Sequence, residues 1–178
     1  MKHFDEETLH TNIIYEGRLI RLEELTVRLP DGKQAKREVV RHPGAVTLMP
    51  LLEDKMLLVH QYRTAPGMAF WETPAGKLEP GEDPMQCAQR ELIEETGYRA
   101  ERLTELRRFF LTPGFCDEDM ILFRAENLVP DTSFTQDKDE FLKVKAFTID
   151  EMDALVAQGQ IRDAKTMLTL ELWKHQAK

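Results

Sequence analysis

Two kinds of residue pattern divide the chain into predicted strands and predicted helices. Interleaved apolar, β-branched and charged residues indicate strands, which are residues 12–29, 37–41, 45–52, 56–62, 103–111, 119–126 and 141–147. Helical spacing of apolar residues predicts helices over residues 84–96, 150–158 and 163–175. Asp31-Gly32 indicates a hairpin turn, and Pro43-Gly44 interrupts the strand pattern. Because strands and helices do not alternate regularly, the sequence favours a mixed or antiparallel sheet flanked by helices over a doubly wound parallel sheet, within the class α/β (α+β).

The helix over residues 84–96 has clear boundary signals. Asp83 is a favourable N-cap, Pro84 suits the first helical position, and Gly97 suits the residue after the helix. Three apolar residues share one face of this helix and are expected to face the core: Met85, Ala88 and Leu92.

Acidic residues outnumber basic ones, and the excess is concentrated in one segment. The 178 residues include 24 Lys and Arg against 32 Asp and Glu, a formal net charge of −8. This balance argues against a general nucleic-acid-binding protein and against electrostatic attachment to anionic membranes. Residues 72–95 alone carry 2 basic and 7 acidic side chains, net −5. No apolar run reaches the ~18 residues of a membrane helix, and the two cysteines do not suggest a disulfide framework, so a cytoplasmic protein is expected.

Three glutamates near the end of the helix break two local rules. Glu91, Glu94 and Glu95 lie at spacings at which like charges repel. They also stand where the negative end of the helix macrodipole disfavours acids. A solvated acidic face is the ordinary explanation of such a cluster, but the C-terminal position and the flanking loop favour a divalent-cation site. Carboxylate oxygens select Mg²⁺, Mn²⁺ or Ca²⁺ over thiophilic metals.

The loop before the helix completes a motif. Gly76 is followed after five residues by Glu82, and after seven more by Arg90-Glu91-Leu92-Ile93-Glu94-Glu95-Thr96-Gly97-Tyr98. This resembles the Nudix hydrolase box G-x5-E-x7-R-E-U-x-E-E-x-G-U, in which U is aliphatic. All seven invariant letters are present, and the final U departs as Tyr98. The resemblance implies a mixed-sheet α/β/α sandwich of the Nudix type, and hydrolysis of a nucleoside diphosphate linked to another group.

The same resemblance implies a set of metal ligands. Glu91 and Glu95 are expected to be the principal ligands and the Ala75 carbonyl a further one. Glu94 is expected to bind a metal directly or through water. The expected metal is Mg²⁺, with Mn²⁺ or another divalent ion as the alternative. Such ions neutralise phosphates and lower the pKa of the attacking water.

Segments outside the box resemble the ADP-ribose pyrophosphatase branch of this family. Pro113 lies 15 residues after Tyr98, in a Thr112 to Glu118 segment similar to the branch's S/T-P-G-x-x-x-E. Further matches are Arg37-Glu38 with His42-Pro43-Gly44-Ala45-Val46, Gln61-Tyr62-Arg63, Glu72 to Glu79, and Asp163-Ala164-Lys165-Thr166.

This branch resemblance implies substrate-binding residues. Arg37 and Arg63 are expected to contact the diphosphate or the adenosine, a task that suits a permanently charged forked donor; the alternative is ordinary strand-edge charge. Glu118 is expected on the loop facing the site, with Pro113 in the same loop, and its role is either direct or structural. Lys165 is expected on a helix surface or at an interface rather than in a catalytic role.

Arg90 and a late glutamate are the other expected catalytic residues. Arg90 is expected to pair with a box carboxylate, Glu82 first, and to orient it; the alternative is a surface pair with Glu94. In this branch a glutamate before a late strand acts on the nucleophilic water or binds an additional metal, and Glu140 matches its position. The alternatives for this base are Asp139, Glu94 and Glu118.

The resemblance also implies an organisation and a reaction. Residues 1–42 are expected to form an N-terminal antiparallel β extension at a homodimer interface, and residues 43–178 the Nudix domain. The expected reaction is Mg²⁺-dependent hydrolysis of ADP-ribose to AMP and ribose 5-phosphate. Another nucleoside diphosphate sugar or a dinucleotide is the alternative substrate. A non-catalytic ADP-ribose-sensing module is a remote alternative, because such modules usually lose box glutamates that this chain keeps.

Overall fold

A computed structural model of the protein describes residues 4–131, 133 and 142–176. The chain divides into two compact units, Met1–Gly44 with Phe110–Asp119, and Ala45–Phe109 with Met120–Lys178. In chain order the elements are β1 (Glu7–Glu16), β2 (Arg21–Arg28), β3 (Gln34–Arg41), β4 (Ala45–Leu52), β5 (Lys55–Arg63), β6 (Met68–Glu72), β7 (Ala75–Lys77), α1 (Pro84–Thr96), β8 (Tyr98–Phe110), β9 (Asp119–Pro130), β10 (Lys143–Phe147), α2 (Ile149–Ala157) and α3 (Ala164–Gln176). In the part of the chain described, the helices are too short or too polar to cross a membrane.

The first unit contains a three-stranded antiparallel sheet in the order β1-β2-β3. The predicted turn at Asp31-Gly32 joins β2 to β3, and Gly32 has the positive φ of 86° that residues other than glycine rarely adopt. Residues 12–29 are not one continuous strand, because a turn interrupts them. There the Gly17 N–H donates a hydrogen bond to the Ile20 carbonyl at 2.9 Å, which closes the turn between β1 and β2.

Residues 110–119 pack in the first unit beside the end of β3. The Val40 N–H donates to the Phe115 carbonyl at 2.7 Å, and the Asp117 N–H donates to the Val40 carbonyl at 3.1 Å. The Asp117 carboxylate also accepts the His42 N–H at 2.8 Å. The N-terminal extension expected over residues 1–42 does not include residues 110–119. The hydrogen bonds that join this segment to Val40 link residues far apart in the chain, and such bonds leave no local pattern in the sequence.

The second unit is built on a seven-stranded mixed sheet. Its main order is β10-β5-β4-β9-β8, with β6 beside β5 and β7 beside β4. β4 and β9 run parallel, from Ala45 opposite Met120 to Pro50 opposite Ala125. β4 pairs antiparallel with β5 and β7, and β5 pairs antiparallel with β6 and β10. The hairpin predicted between residues 45–52 and 56–62 is the β4–β5 pair.

Helices cover both faces of this sheet. Successive side chains of β4 and β9 point to opposite faces, so each face has apolar side chains that a helix must bury. One core lies between the sheet and α1, and it contains Val46, Leu48, Cys87, Ala88, Leu92, Ile121, Phe123 and Ala125. The other lies between the sheet and the helices α2 and α3, and it contains Met49, Met56, Leu58, Leu122, Phe147, Met152, Ile161, Leu170 and Trp173. The mixed-sheet α/β/α sandwich predicted from the sequence is confirmed.

The predicted boundaries of α1 are confirmed, but one predicted core residue is wrong. The Asp83 side chain accepts the N–H groups of Met85 and Gln86, and Gly97 ends the helix with φ of 73°. Ala88 and Leu92 are fully buried, whereas Met85 is 48% exposed. Met85 stands in the first turn of the helix, and apolar periodicity alone does not show that the buried face begins at Cys87.

A pair of substitutions on α1 tests this assignment of its faces. Leu92→Ala should lower the free energy of unfolding by about 2–5 kcal/mol, because it leaves a cavity in a fully buried site. Met85→Ala should change it by less than about 0.5 kcal/mol, as expected for a surface position. Urea denaturation of the two variants measures the difference, and equal losses would contradict the assignment.

Candidate active site

Strand β7 passes so close to α1 that position 76 has no room for a side chain. A Cβ atom at Gly76 would lie 1.8 Å from the carboxylate carbon of Glu91 and 1.9 Å from one carboxylate oxygen. β7 is held there by pairing with β4, in which Val46 stands opposite Gly76. The absence of a Cβ therefore allows the Glu91 carboxylate to lie directly against the β7 backbone.

Glu95, one turn further along α1, is held by the same strand. Glu95 is only 4% exposed, and its Oε2 accepts the Ala75 N–H at 2.9 Å. A buried carboxylate is costly unless hydrogen bonds satisfy it, and the β7 backbone supplies one here. The β7 backbone thus binds Glu95 through the Ala75 amide and makes room for Glu91 at Gly76, and these are the two glutamates for which the box resemblance implies metal binding.

Arg90 forms ion pairs with three glutamates of the box. Its Nε and Nη2 donate to the two carboxylate oxygens of Glu82 at 2.9 and 3.0 Å. Its Nη1 donates to Glu91 at 2.6 Å and to Glu94 at 2.9 Å. The predicted pair with Glu82 and the alternative pair with Glu94 are therefore both present. The Glu79 N–H also donates to Glu82 at 3.0 Å, which ties the loop before α1 to the same carboxylate.

These contacts shift the protonation equilibria of the cluster. Hydrogen bonds from Arg90 lower the pKa of Glu82 to about 2. The same carboxylates raise the pKa of Arg90, so its charge is permanent. Burial, together with the neighbouring Glu82, raises the pKa of the Cys87 thiol to about 12. Cys87 is therefore a neutral core residue here and is not a thiolate ligand or nucleophile.

The described residues fit a divalent cation without enclosing one. Among residues 4–131, 133 and 142–176, no three His, Cys, Asp or Glu side chains converge as in a formed metal site. Glu91 is directed at Arg90 and Glu95 at the Ala75 amide. The donors nevertheless are carboxylate oxygens, which suit Mg²⁺ or Mn²⁺, and the glycine at position 76 lets the Glu91 carboxylate lie against the β7 backbone.

A second charged cluster lies in the same unit, at the ends of β5 and β6. Arg63 Nε donates to Glu72 Oε1 at 3.0 Å, and Arg63 Nη2 donates to Glu72 Oε2 at 2.9 Å. Lys165 Nζ donates to the same Oε2 at 2.5 Å and to Asp163 at 2.9 Å. Lys165 is 7% exposed, so the expectation of a helix-surface or interface residue is wrong. Its side chain points into the sandwich because Glu72, which is 1% exposed, must be paired.

Glu72 is a residue whose importance the sequence reasoning missed. Burial by itself raises the pKa of Glu72, but hydrogen bonds and charge from Arg63 and Lys165 outweigh it and lower that pKa overall. Burial opposes the charge of Arg63, yet the bonds to Glu72 and the charge of Glu95 raise the pKa of Arg63 overall. The electrostatic effect of Glu95 connects this cluster to the box. In the sequence, the only signal that points to Glu72 is its place in the Glu72 to Glu79 match to the ADP-ribose pyrophosphatase branch.

The remaining predicted residues lie in the first unit or outside the described residues. Arg37 forms a two-bonded ion pair with Glu6, at 3.0 and 2.5 Å. Glu118 Oε1 lies 3.9 Å from His42 Nδ1, and Pro113 stands in an exposed turn. Two predicted candidates for the catalytic base are outside the described residues: Glu140 and Asp139.

This chain is similar over nearly its whole length to known proteins. Residues 40–170 match the family described as NUDIX domain, and residues 6–40 match the nucleoside diphosphate sugar hydrolase N-terminal domain. The chain is 41% identical to an ADP-ribose pyrophosphatase of Bacillus subtilis over 173 residues, which cover 96% of this chain and 94% of that protein. It is also 41% identical to a methanol dehydrogenase activator of Bacillus methanolicus over 172 residues, 96% of this chain and 93% of that protein. A crystal structure of an ADP compounds hydrolase matches with a TM-score of 0.84 at 22% identity, covering 96% of this chain and 93% of that one, so the two share a fold.

Substitution of Gly76 tests the close approach of β7 to α1. Gly76→Ala should displace the Glu91 carboxylate, and we expect Mn²⁺ affinity to fall by about tenfold or more, since a lost charged contact is worth about 1.5–3 kcal/mol. Gly114→Ala is the matched control, because a Cβ there meets no atom within 4 Å. Titration of Mn²⁺ followed by electron paramagnetic resonance measures both. Unchanged Mn²⁺ affinity in Gly76→Ala would contradict the predicted role of this contact.

The pairing of Glu82 with Arg90 predicts a dependence of stability on acid. The folded-state pKa of Glu82, about 2, lies below the ordinary value of 4.5. Its contribution to stability is therefore fully present above pH 4.5 and is lost as the pH falls from 4.5 towards 2. Urea denaturation between pH 6 and pH 2.5 should show a shallower loss in Glu82→Gln than in wild type. The control Glu79→Gln, an exposed neighbour, should keep the wild-type slope, and parallel profiles for wild type and Glu82→Gln would refute the pairing.

Proposed function

Because the chain belongs to the Nudix family, we propose that it hydrolyses the diphosphate bond of ADP-ribose to give AMP and ribose 5-phosphate, with Mg²⁺ as its metal. The observation that carries this proposal is the complete box on α1, with Glu91 and Glu95 held against β7. The choice of ADP-ribose is supported by the pyrophosphatase relative, which matches nearly the whole chain.

In this proposal Glu91 and Glu95 hold the metal, with the Ala75 carbonyl and Glu94 as further ligands. The bound metal would neutralise the diphosphate and lower the pKa of the attacking water. Arg90 Nη1 already binds Glu91 and Glu94, so it competes with a cation for the same oxygens. Arg90 Nε and Nη2 donate to Glu82, and these two bonds would keep the guanidinium beside the helix if a cation displaced Nη1 from Glu91 and Glu94.

The negative diphosphate needs positive groups that are fixed before it binds. Arg63 meets this requirement, because Glu72 holds two of its nitrogens while Nη1 has no hydrogen-bond partner among the described residues. We assign the diphosphate contact to Arg63. Arg37 remains a second candidate for contact with the diphosphate or the adenosine, and Glu118 and Pro113 remain candidates for the loop that bounds the substrate.

The catalytic base in this proposal is Glu140. Its support is the position of this residue before β10, which matches the branch pattern, and it lies outside the described residues. Glu94 is a weaker candidate, since Arg90 occupies one of its carboxylate oxygens at 2.9 Å.

We further propose that the chain works as a homodimer in the cytoplasm, with residues 1–42 as the dimerisation extension and residues 43–178 as the Nudix domain. Strand β1 supports this proposal, because its apolar side chains face solvent: Ile13 is 51%, Ile14 56% and Tyr15 57% exposed. Contiguous exposed apolar residues of this kind are typical of an interface. β1 is an edge strand that pairs only with β2 among the described residues. Its apolar residues Ile13, Ile14 and Tyr15 are not covered by other described residues of the first unit.

Sedimentation tests the dimer. Wild type should sediment as a dimer at micromolar concentration, and Ile14→Lys should shift it towards monomer, because a charge cannot be buried cheaply in an apolar interface. Val144→Lys, at an apolar position of β10 that is 40% exposed, is the matched control and should leave the dimer intact. A wild type that sediments as a monomer would refute the proposal.

A second candidate function is activation of a dehydrogenase. It is favoured by the methanol dehydrogenase activator, which is as similar to this chain as the pyrophosphatase is. The two functions separate in a paired assay. Faster turnover of an added methanol dehydrogenase without hydrolysis of ADP-ribose would favour the second candidate.

A substrate panel and one substitution test the first candidate. Turnover with Mg²⁺ should be fastest for ADP-ribose among ADP-glucose, other nucleoside diphosphate sugars, dinucleotides and oxidised dGTP. Glu95→Gln should lower kcat by at least about 100-fold, because charge at the phosphates is no longer neutralised. The Gln side chain keeps an oxygen that accepts the Ala75 N–H, so the melting temperature without metal should stay within a few degrees. Glu101→Gln, on the exposed surface of β8, is the control. Tenfold faster hydrolysis of another substrate would refute the ADP-ribose assignment and leave the family intact.

A further inference from the structure

Lys165 breaks two rules that normally govern lysine. It is 7% exposed, although lysine is rarely buried. It also stands in the first turn of α3, where the positive end of the helix macrodipole disfavours a cation. A buried ion pair is weak support for stability, because an apolar pair of similar volume often does as well. Departures from local rules of this kind concentrate at functional sites.

The contacts of Lys165 fix the carboxylate that holds Arg63. Lys165 Nζ and Arg63 Nη2 both donate to Glu72 Oε2, at 2.5 and 2.9 Å. Asp163 Oδ1 accepts both Lys165 Nζ at 2.9 Å and the Thr166 N–H at 3.0 Å, so the lysine is itself anchored to the helix start. The plane of the Glu72 carboxylate is therefore set from the α3 side. That plane in turn sets the direction of the Arg63 fork.

The same turn of α3 also anchors the backbone that leads to the box. Thr166 Oγ1 accepts the Thr73 N–H at 2.8 Å. The Pro74 carbonyl accepts the Leu48 N–H at 2.9 Å, so the next residue is held by β4. Ala75, which follows directly, donates to Glu95. The Glu72 side chain and the backbone that follows it are thus both held by hydrogen bonds.

We propose that Lys165 is a positioning residue for the diphosphate of the substrate, acting through Glu72 on Arg63. Lys165 holds Glu72 in the orientation in which Glu72 occupies Arg63 Nε and Nη2, and Arg63 Nη1, which has no hydrogen-bond partner among the described residues, would then bind the diphosphate. The ligand class is any nucleoside diphosphate derivative, because the contact is to the shared diphosphate. This inference rests on the proposed function.

A double-mutant cycle between Lys165 and Arg63 tests it. Lys165→Met and Arg63→Gln should each raise the KM for ADP-ribose on the order of tenfold, as expected for a weakened charged hydrogen bond. Because Lys165 acts through Arg63, Lys165→Met should have little further effect on KM in the Arg63→Gln background. Mn²⁺ affinity, measured without substrate, should stay within about twofold of wild type, because Lys165 donates to Glu72 and Asp163 and not to Glu91 or Glu95.

Lys174→Met is the matched control. Lys174 lies on the same helix and also bridges two carboxylates, Asp153 at 2.5 Å and Glu171 at 2.7 Å, but it contacts neither Glu72 nor Arg63. The KM of the Lys174→Met variant for ADP-ribose should remain at the wild-type value. If Lys165→Met does not fold, the cycle is run with Lys165→Gln, which removes the charge and keeps an N–H donor.

The outcomes separate this inference from the proposed function. A Lys165 effect on KM that persists in full in the Arg63→Gln background, or a fold decrease in Mn²⁺ affinity equal to the fold increase in KM, would overturn the inference and leave the function standing. If wild type prefers another nucleoside diphosphate sugar, the ADP-ribose assignment fails and the cycle is measured with that substrate. A wild type that hydrolyses none of these substrates would overturn both.

Discussion

The close approach of strand β7 to helix α1 is the constraint on which the candidate site depends. A side chain at position 76 would occupy the space of the Glu91 carboxylate, and the amide of the preceding residue binds Glu95. The β7 backbone therefore binds Glu95 directly and sets the space in which Glu91 lies, while Arg90 donates to Glu91. The parallel pairing of β4 with β9 and the packing of α1 on that sheet hold the two elements at this separation.

This geometry explains how the fold tolerates three glutamates in the last turns of a helix. The repulsion between them and the unfavourable helix end are offset by Arg90, which contacts Glu82, Glu91 and Glu94 together. The protein thus carries an internal cation for the acidic cluster. Segment 72–95 has a net charge of −5 with Arg90 included, and Arg90 places its positive charge directly among these carboxylates.

Much of this architecture follows from local sequence, and the exceptions have physical causes. The bounds of α1 could be predicted because its caps are local, and the box could be recognised because its spacing is fixed. The short strands β6 and β7 were not predicted, since five and three residues carry too little periodicity. The burial of Lys165 was missed because the buried stripe of α3 includes Lys165, Thr166 and Thr169, and polar residues on a core face do not register as a hydrophobic pattern.

We propose that this chain cleaves a diphosphate at a divalent-metal site on α1. Phosphorus-31 nuclear magnetic resonance of ADP-ribose incubated with the protein tests it most directly. With Mg²⁺ present, the coupled diphosphate signals should be replaced by two phosphomonoester signals, those of AMP and ribose 5-phosphate. With Mg²⁺ removed by chelation, the diphosphate signals should persist. Diphosphate signals that persist in the presence of Mg²⁺, or cleavage that is equally fast without it, would contradict the claim.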